Sequence, residues 1–443
     1  MIRKAQEFMN ENHFDDISRL HCLLRQMMPK EYHDLIDNIM ECQDPHVIFK
    51  VSGGNNLIAL NANQAELKVQ EKSLDKIKNI NNNLKLRPMD LQVKRFSDID
   101  LQDAFFGSLR ESYPEFDEWY KKKSDAGATA YCYYVNDELK DFLYMKIEEE
   151  RLTDVTPVLP AKKRLKVGTF KVDNDSRHTT RGERFMKKIM ENAVAENVEE
   201  IYVTMFPTDE LMKLIAMFEK FGFSHVANKN HADGRSEYVL VKDMRNHVDD
   251  MIHDYPFVKK AGSGKYVLSI NPEYHTKLFP DSILNNEQEY DLIQDVSETN
   301  SIYKIYICWM RGVKDLKKGD KLVIYRTSDN QAPAAYRSVC TSVCTACEVK
   351  TYKDFADEDA FVKYTNRYSV FNERELRGWY KQKNYFTVIK MVYNIAFTKK
   401  VINKVMKEQV GLCPHYWGFF KLTDAQFDKI LELGEIDERY IVD

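Results

Sequence analysis

The chain has 443 residues, 43% of them hydrophobic and 30% charged, with a formal net charge of −4. That length predicts two or three domains, and the composition is that of an ordinary soluble protein able to bury its cores without staples. The slightly acidic balance means that a nucleic-acid partner would have to be held by a local patch. No stretch approaches the ~20 apolar residues of a membrane span, and the segment Met1–Phe8 lacks the apolar run of a signal peptide. A cytoplasmic location, no membrane partner and mostly reduced cysteines are therefore expected.

Residues 1–88 read as a mainly helical N-terminal region. Leu20, Leu23, Leu24 and Met27 recur at helical spacing, as do Leu35, Ile36, Ile39 and Met40. Val47–Val51 reads as a short strand ended by Gly53-Gly54, and Ala65–Ile80 as a lysine-rich helix. No residue here has the spacing of site chemistry.

From Asp90 the pattern changes, and a second domain is expected over 89–246. Leu91–Phe96 is a predicted strand, and Leu101–Lys123 a helix with aromatic anchors. Ala128–Tyr134 and Phe142–Glu148 are predicted strands about an Asn136-Asp137 turn. Leu165–Asp173 is a further strand, followed by a helix at Arg181–Asn197, a strand at Glu200–Phe206 and a helix at Glu210–Phe221. Ser224–Asn228 and Ser236–Val241 flank Asp233-Gly234 as a hairpin. Strands and helices alternating in this way indicate an α/β or α+β domain.

The segment Arg177-His-Thr-Thr-Arg-Gly182-Glu-Arg follows a strand and opens a helix. Amides at a helix start point outward, the helix dipole adds positive charge, and Gly182 lets a ligand approach the backbone. Arg177, Arg181 and Arg184 add forked donors for phosphate oxygens. A basic surface turn ahead of an amphipathic helix accounts for the same residues.

This segment resembles the pyrophosphate-binding signature of the GNAT N-acetyltransferases, with Arg177 at its leading basic position, Gly182 at its final glycine and Thr180 in place of its first glycine. Met217-Phe-Glu-Lys-Phe-Gly-Phe223 resembles the family's later helix-to-strand ending, and Val203–Pro207 falls where the family splays its sheet. The resemblance implies acetyl-CoA as acyl donor and direct acyl transfer to an amine. It implies cofactor contacts from Val167, Thr169, Phe170, Arg177, Thr179, Thr180, Arg181, Gly182, Glu183, Arg184, Phe218 and Phe221. A backbone amide between Val167 and Phe170 would polarise the thioester carbonyl. The tyrosine that often protonates the leaving thiolate is replaced by Phe218, so the catalytic residues are not assigned. Glu148, Glu149 and Glu150, at a strand end, are either bases or a solvated acidic edge.

Residues 256–443 form the third region. Tyr266–Tyr274 resembles the opening strand and turn of ASCH domains, which belong to the PUA-like barrels. Leu316–Tyr325 resembles the strand that follows in ASCH and EVE relatives. Tyr336–Val349 reads as a long strand, and Thr423-Asp-Ala-Gln426 as a capping box that opens a last helix. Leu278-Phe-Pro-Asp-Ser stands where ASCH domains keep Lys, Glu and Arg, so no ASCH hydrolase activity is implied.

Such barrels bind RNA or modified nucleotides. Residues 311–410 hold 20 Lys and Arg against 11 Asp and Glu, interleaved with aromatics. Arg326, Arg337, Arg377, Trp379, Lys381 and Lys383 are the nucleic-acid candidates. Cys340-x3-Cys344-x2-Cys347 has the spacing of a radical-SAM cluster. That fold needs a longer β/α barrel than follows here, and alternation places Cys340 and Cys344 on one strand face. Core cysteines and no metal are expected.

The implied fold class is multidomain α+β: a GNAT mixed sheet flanked by helices, then a PUA-like β-barrel, behind the helical N-terminal region. The implied function is acetyl-CoA-dependent N-acylation of an amine on a nucleic acid or nucleic-acid-bound substrate. A protein N-acetyltransferase and a non-catalytic CoA- or nucleotide-binding module stand as alternatives. The expected partners are RNA or a modified nucleotide at the C-terminal region, and a second copy of the chain in a homodimer.

Overall fold

The computed structural model describes residues 91–135, 138–173, 180–282, 300–330, 333–382 and 385–443, with the backbone of 47–52 and 55–60. The chain divides into two compact units. In the first, β1 (Val47–Ser52) and β2 (Asn55–Leu60) pair as an antiparallel hairpin, and the expected Gly53-Gly54 turn lies outside the described residues. The helices expected at 1–46 and 65–80 lie outside the described residues.

The second unit holds most of two large sheets. The first sheet and its helices comprise β3 (Gln92–Arg95), α1 (Gly107–Ser112), α2 (Phe116–Asp125), β4 (Thr129–Val135), β5 (Glu138–Glu148) and β6 (Arg164–Val172), then α3 (Arg181–Ala195), β7 (Glu200–Met205), α4 (Met212–Lys220), β8 (Ser224–Asn230) and β9 (Ser236–Asp243). Its strand order is β3-β4-β5-β6-β7-β9-β8. The helix expected over 101–123 is broken because Pro114 disfavours a helical residue before it; Tyr113 is extended, with φ −131° and ψ 94°. The Asn136-Asp137 turn lies outside the described residues. Around α2, Phe96, Phe106, Tyr120 and Phe142 interlock edge-on and tilted as a core.

Helix α3 buries two faces. Phe185, Met186, Ile189, Met190 and Ala193 recur at three- and four-residue spacing as its apolar stripe. A second stripe, spaced by four, meets the C-terminal part of the unit. Glu183 accepts from the Tyr368 hydroxyl at 2.7 Å, Lys187 bonds Asp281 and Asn300, and the Ala195 carbonyl accepts from Arg439.

That C-terminal part comprises β10 (Val258–Lys259), β11 (Lys265–Ile270), α5 (Pro272–Leu278), β12 (Tyr303–Cys308), β13 (Lys321–Arg326), α6 (Ala334–Arg337), β14 (Val339–Thr351), α7 (Glu358–Thr365) and α8 (Glu373–Lys381). It continues through β15 (Thr387–Ile402), α9 (Asn403–Glu408), β16 (Phe419–Leu422), α10 (Asp424–Leu433) and β17 (Ile441–Val442). Six strands pair in the order β12-β15-β14-β13-β11-β16. The α+β class stands, but the expected barrel is corrected: among the described residues no ladder joins β12 to β16, so the sheet is open. Alternation along β13 sends Leu322 and Ile324 to one core and Val323 and Tyr325 to the other, where Phe427 and Ile430 of α10 pack. The Thr423–Gln426 capping box opens α10 as the sequence indicates.

The expected common face for Cys340 and Cys344 is also corrected. Tyr325 pairs with Cys340 and Ile324 with Ser342, so Thr341 is an extra residue that reverses the alternation. Cys340 enters the core with Phe427, and Cys344 the one with Ile324. Both thiols are fully buried, and burial alone pushes Cys340 well up.

Candidate functional site

The site begins where two parallel strands part. Strands β6 and β7 pair only from Arg164–Val167 to Glu200–Val203. Beyond Val167, β6 stays bonded to β5 as far as Val172, and β7 stays bonded to β9 as far as Met205. The edges of β6 and β7 that face each other past Val167 and Val203 therefore have no strand partner, and the backbone there needs other acceptors and donors.

The parting coincides with a bulge. Met145 pairs with Val167 and Tyr144 with Thr169, leaving Gly168 as the extra residue. A Cβ at Gly168 would lie 2.7 Å from Cδ1 of the Tyr144 ring, so glycine is required for this strand to pass over the tyrosine. Val167 is buried beside the last paired rung, while Thr169 and Phe170 lie on the open stretch.

Helix α3 opens after β6. Its first intrahelical bond runs from the Arg184 amide to the Thr180 carbonyl, so the amides of the first turn point out of the helix end. Arg181 meets Asp141 of β5 at 3.4 Å. Burial pushes the Asp141 carboxyl up to about 6, against the pull of Arg181. Thr180 and Arg184 are buried. Arg177 and Thr179 lie outside the described residues. Glu183 does not face this opening with its side chain. Its carboxylate is buried against Tyr368 and Arg367, and burial pushes it up despite both partners.

Helix α4 closes one side. A Cβ at Gly182 would meet Met217 Sδ at 3.4 Å and Phe170 Cζ at 4.0 Å. Phe218 is fully buried and lies edge-on to Phe170 at 5.5 Å and to Phe223 at 4.8 Å. Phe170, Gly182 and Phe218 thus converge around Met217. Phe221 is turned elsewhere, against Tyr255.

The acidic strand end of β5 is not at this opening. Glu148 pairs with Arg164 at the far end of β6, about 13 Å along the strand from Gly168 at ~3.3 Å per residue. Burial works against ionisation of Glu148, but hydrogen bonds from Lys146 and Tyr202 and the nearby Lys166 leave its carboxyl low. Glu149 and Glu150 follow in solvent. A base role for these three is corrected on position.

A titratable cluster that the sequence did not reveal stands at the end of β7. Tyr113, between α1 and α2, donates to the buried carboxylate of Glu237 on β9. The other Glu237 oxygen lies 3.2 Å from His231 Nε2. The Phe206 ring, directly after β7, packs on both Tyr113 and His231 at 5.4 and 5.3 Å. The segment leading into Tyr113 is anchored on both sides of the parting. Lys171 of β6 bonds the Phe105 carbonyl and Ser108, and Arg235 bonds the Ser112 carbonyl at 2.9 Å. No sequence signal links residues more than a hundred positions apart; only the tertiary contact does.

The described nucleic-acid candidates each meet a carboxylate or an aromatic ring. Arg326 is buried, and both it and Arg337 turn to Asp329. Arg377 is ringed by Glu358, Asp359 and Glu373 at 2.7–2.9 Å. Lys381 stands 3.7 Å from Glu358, and Trp379 packs edge-on to Phe371 and Trp309. Lys383 lies outside the described residues. Among the described residues, no group of three or more His, Cys, Asp or Glu is placed to hold a metal ion, and no helix is long and apolar enough to cross a membrane.

No family model matches the sequence, and no curated protein matches it. Solved structures are similar at low identity. ASCH from Zymomonas mobilis is 11% identical, with 38% of this chain and 94% of that chain covered and a TM-score of 0.27. A putative acetyltransferase of the GNAT family from Desulfovibrio desulfuricans is 11% identical, with 34% and 98% covered and a TM-score of 0.26. Arabidopsis thaliana Naa50, in complex with a bisubstrate analogue, is 18% identical, with 34% and 98% covered and a TM-score of 0.24. At such TM-scores the functional reading rests on the geometry of the site itself.

Proposed function

We propose that the chain is an N-acyltransferase that takes its acyl group from acetyl-CoA. The observation that carries this reading is the parting of β6 from β7 at the Gly168 bulge, immediately ahead of the outward-pointing amides of α3. An extended pantetheine arm fits between the open strand edges, its amides meeting backbone groups that lack a strand partner. The pyrophosphate meets the first turn of α3, where amides and the helix dipole favour an anion. Thr180, Arg181 and Gly182 stand at that turn. The thioester carbonyl then lies against a backbone amide of Gly168–Phe170, and an amine entering from the Tyr113–Phe206 end attacks it. In such a reaction the protein positions the reactants and removes a proton. Phe218 has no proton to give, so the leaving thiolate takes its proton from water.

The acceptor is an amine. Its placement on a nucleic acid, the expectation drawn from the C-terminal region, gains no support from Arg326, Arg337 and Arg377, whose charge is spent on neighbouring carboxylates. Total cellular RNA and total cellular protein are therefore both offered in the test. Calorimetry with CoA comes first, followed by radiolabelled acetyl-CoA with each fraction. Binding together with label in either fraction is expected. No heat of CoA binding and no label would overturn the reading.

A further inference from the structure

Acyl transfer from a thioester needs a group that removes the proton from the attacking nitrogen. The geometry points to His231 as that proton acceptor, with Glu237 as its positioning residue, an inference that rests on the acyl-transfer reading above.

The placement comes first. His231 packs on Phe206, the residue that directly follows β7 where that strand has already left β6. The segment from Phe105 to Tyr113 is tied to Lys171 on the β6 side and to Glu237 and the Arg235 turn on the β9 side. His231 therefore stands at the acceptor end of the open strand edges, whereas Glu148 stands at the closed end. Its side chain is 22% exposed, open to an incoming amine, while Glu237 is only 3% exposed.

The chemistry follows from the hydrogen bonding. Glu237 Oε1 is occupied by the Tyr113 hydroxyl, so Oε2 is the oxygen left to receive a proton donor from His231. With the Nε2 proton donated to that oxygen, Nδ1 carries the free lone pair. A neutral amine attacks the thioester carbonyl, and the new C–N bond leaves a cationic nitrogen. Nδ1 takes one proton from that nitrogen as the C–S bond breaks. The CoA thiolate leaves and is protonated by water, and the imidazolium returns its proton to solvent. The buried carboxylate stabilises the imidazolium and holds the ring in one tautomer. Asp233 on the same turn faces His231, and Tyr113 shares the Glu237 carboxylate with it.

The test uses the full chain, radiolabelled acetyl-CoA and the cellular fraction that the wild type labels. His231→Ala should lose about 100-fold in labelling rate, within the ~10²–10⁴ range of general-base catalysis. CoA affinity by calorimetry should be unchanged, and added imidazole should restore part of the rate. His231→Gln, which retains a donor for Glu237, should show the same loss without unfolding. Glu237→Gln should lower kcat and leave the KM for acetyl-CoA unchanged, because Glu237 orients the ring and does not touch the cofactor. A labelled wild type with undiminished His231→Ala, or a loss that added imidazole does not rescue, would overturn the assignment alone. A wild type that neither binds CoA nor transfers label removes the underlying reading as well, and the calorimetry tells the two failures apart.

Discussion

The Tyr368 hydroxyl donates to Glu183 Oε1 at 2.7 Å, so a residue of the C-terminal part holds the third residue of the helix that opens the proposed cofactor site. The other carboxylate oxygen is buried without a partner, and burial pushes this carboxyl up despite Tyr368 and Arg367. A carboxyl raised on folding contributes stability below its unfolded pKa, and that contribution is lost as pH rises through the folded value. Removing the hydroxyl takes a donor from the ionised form. Tyr368→Phe is therefore expected to cost about 1–3 kcal/mol, with the larger loss at pH 8 and the smaller at pH 5. Urea unfolding at the two pH values measures this, and an equal loss at both would contradict it.

Asp141 gives a second pH dependence with a defined window. Its carboxyl rises from 3.8 to about 6 because burial outweighs Arg181. Its stabilising contribution is complete below about pH 4 and disappears as pH rises through 6. The two values differ by enough to make the change about 3 kcal/mol at 1.36 kcal/mol per unit. Asp141→Asn should then be more stable than wild type at pH 8, with little difference at pH 4. It also takes a carboxylate from beside Arg181, so CoA affinity at pH 8 should tighten several-fold. Calorimetry showing weaker binding in Asp141→Asn would remove Arg181 from the proposed phosphate turn.

Lys187 is 2% exposed and bonds Asp281 and Asn300, with its ammonium 4.7 Å from the centre of the Tyr393 ring. Breaking a buried pair from one side typically costs about 3–5 kcal/mol because the remaining charge is stranded. Asp281 is 26% exposed and can recover water, so Lys187→Met is expected at about 3 kcal/mol, the low end of that range. Lys187→Met/Asp281→Asn should recover more than half of the loss. A double variant no more stable than the single one in urea unfolding would show that the ion pair is not what joins α3 to the C-terminal part here.

The sequence carries some of these features openly and hides others. The apolar stripe Phe185–Ala193 is visible in its spacing, and so is the Asp233-Gly234 hairpin, where Gly234 has φ +87°. The burial of Glu183 and Lys187 is hidden, because periodicity within one helix cannot show that a second body of chain covers its polar side. Thr341 hides for a different reason: a bulge adds one residue to a ladder, and strict alternation then assigns every residue beyond it to the wrong face. The count over 311–410 could not show which charges meet, and Arg377 turns to Glu358, 19 positions away along the chain. His231, Glu237 and Tyr113 carry no local pattern at all.

Gly182 offers the sharpest test of the cofactor turn. A methyl group there would meet Met217 Sδ at 3.4 Å, ordinary van der Waals contact, and the position is helical. Gly182→Ala should therefore fold normally and gain about 0.5–1 kcal/mol from helix propensity and reduced unfolded-state entropy. An indole reaches further: past Cβ it enters the space between the first turn of α3 and Met217, which is where the pyrophosphate is placed. Gly182→Trp is expected to abolish CoA binding in calorimetry, while its thermal transition stays within a few degrees of wild type because the ring can extend into the open site. Gly182→Ala should lose no more than a few-fold in affinity. If the tryptophan variant binds CoA like the wild type, the cofactor does not run past the start of α3. The open edges of β6 and β7 would then have to be filled by something other than a nucleotide thioester.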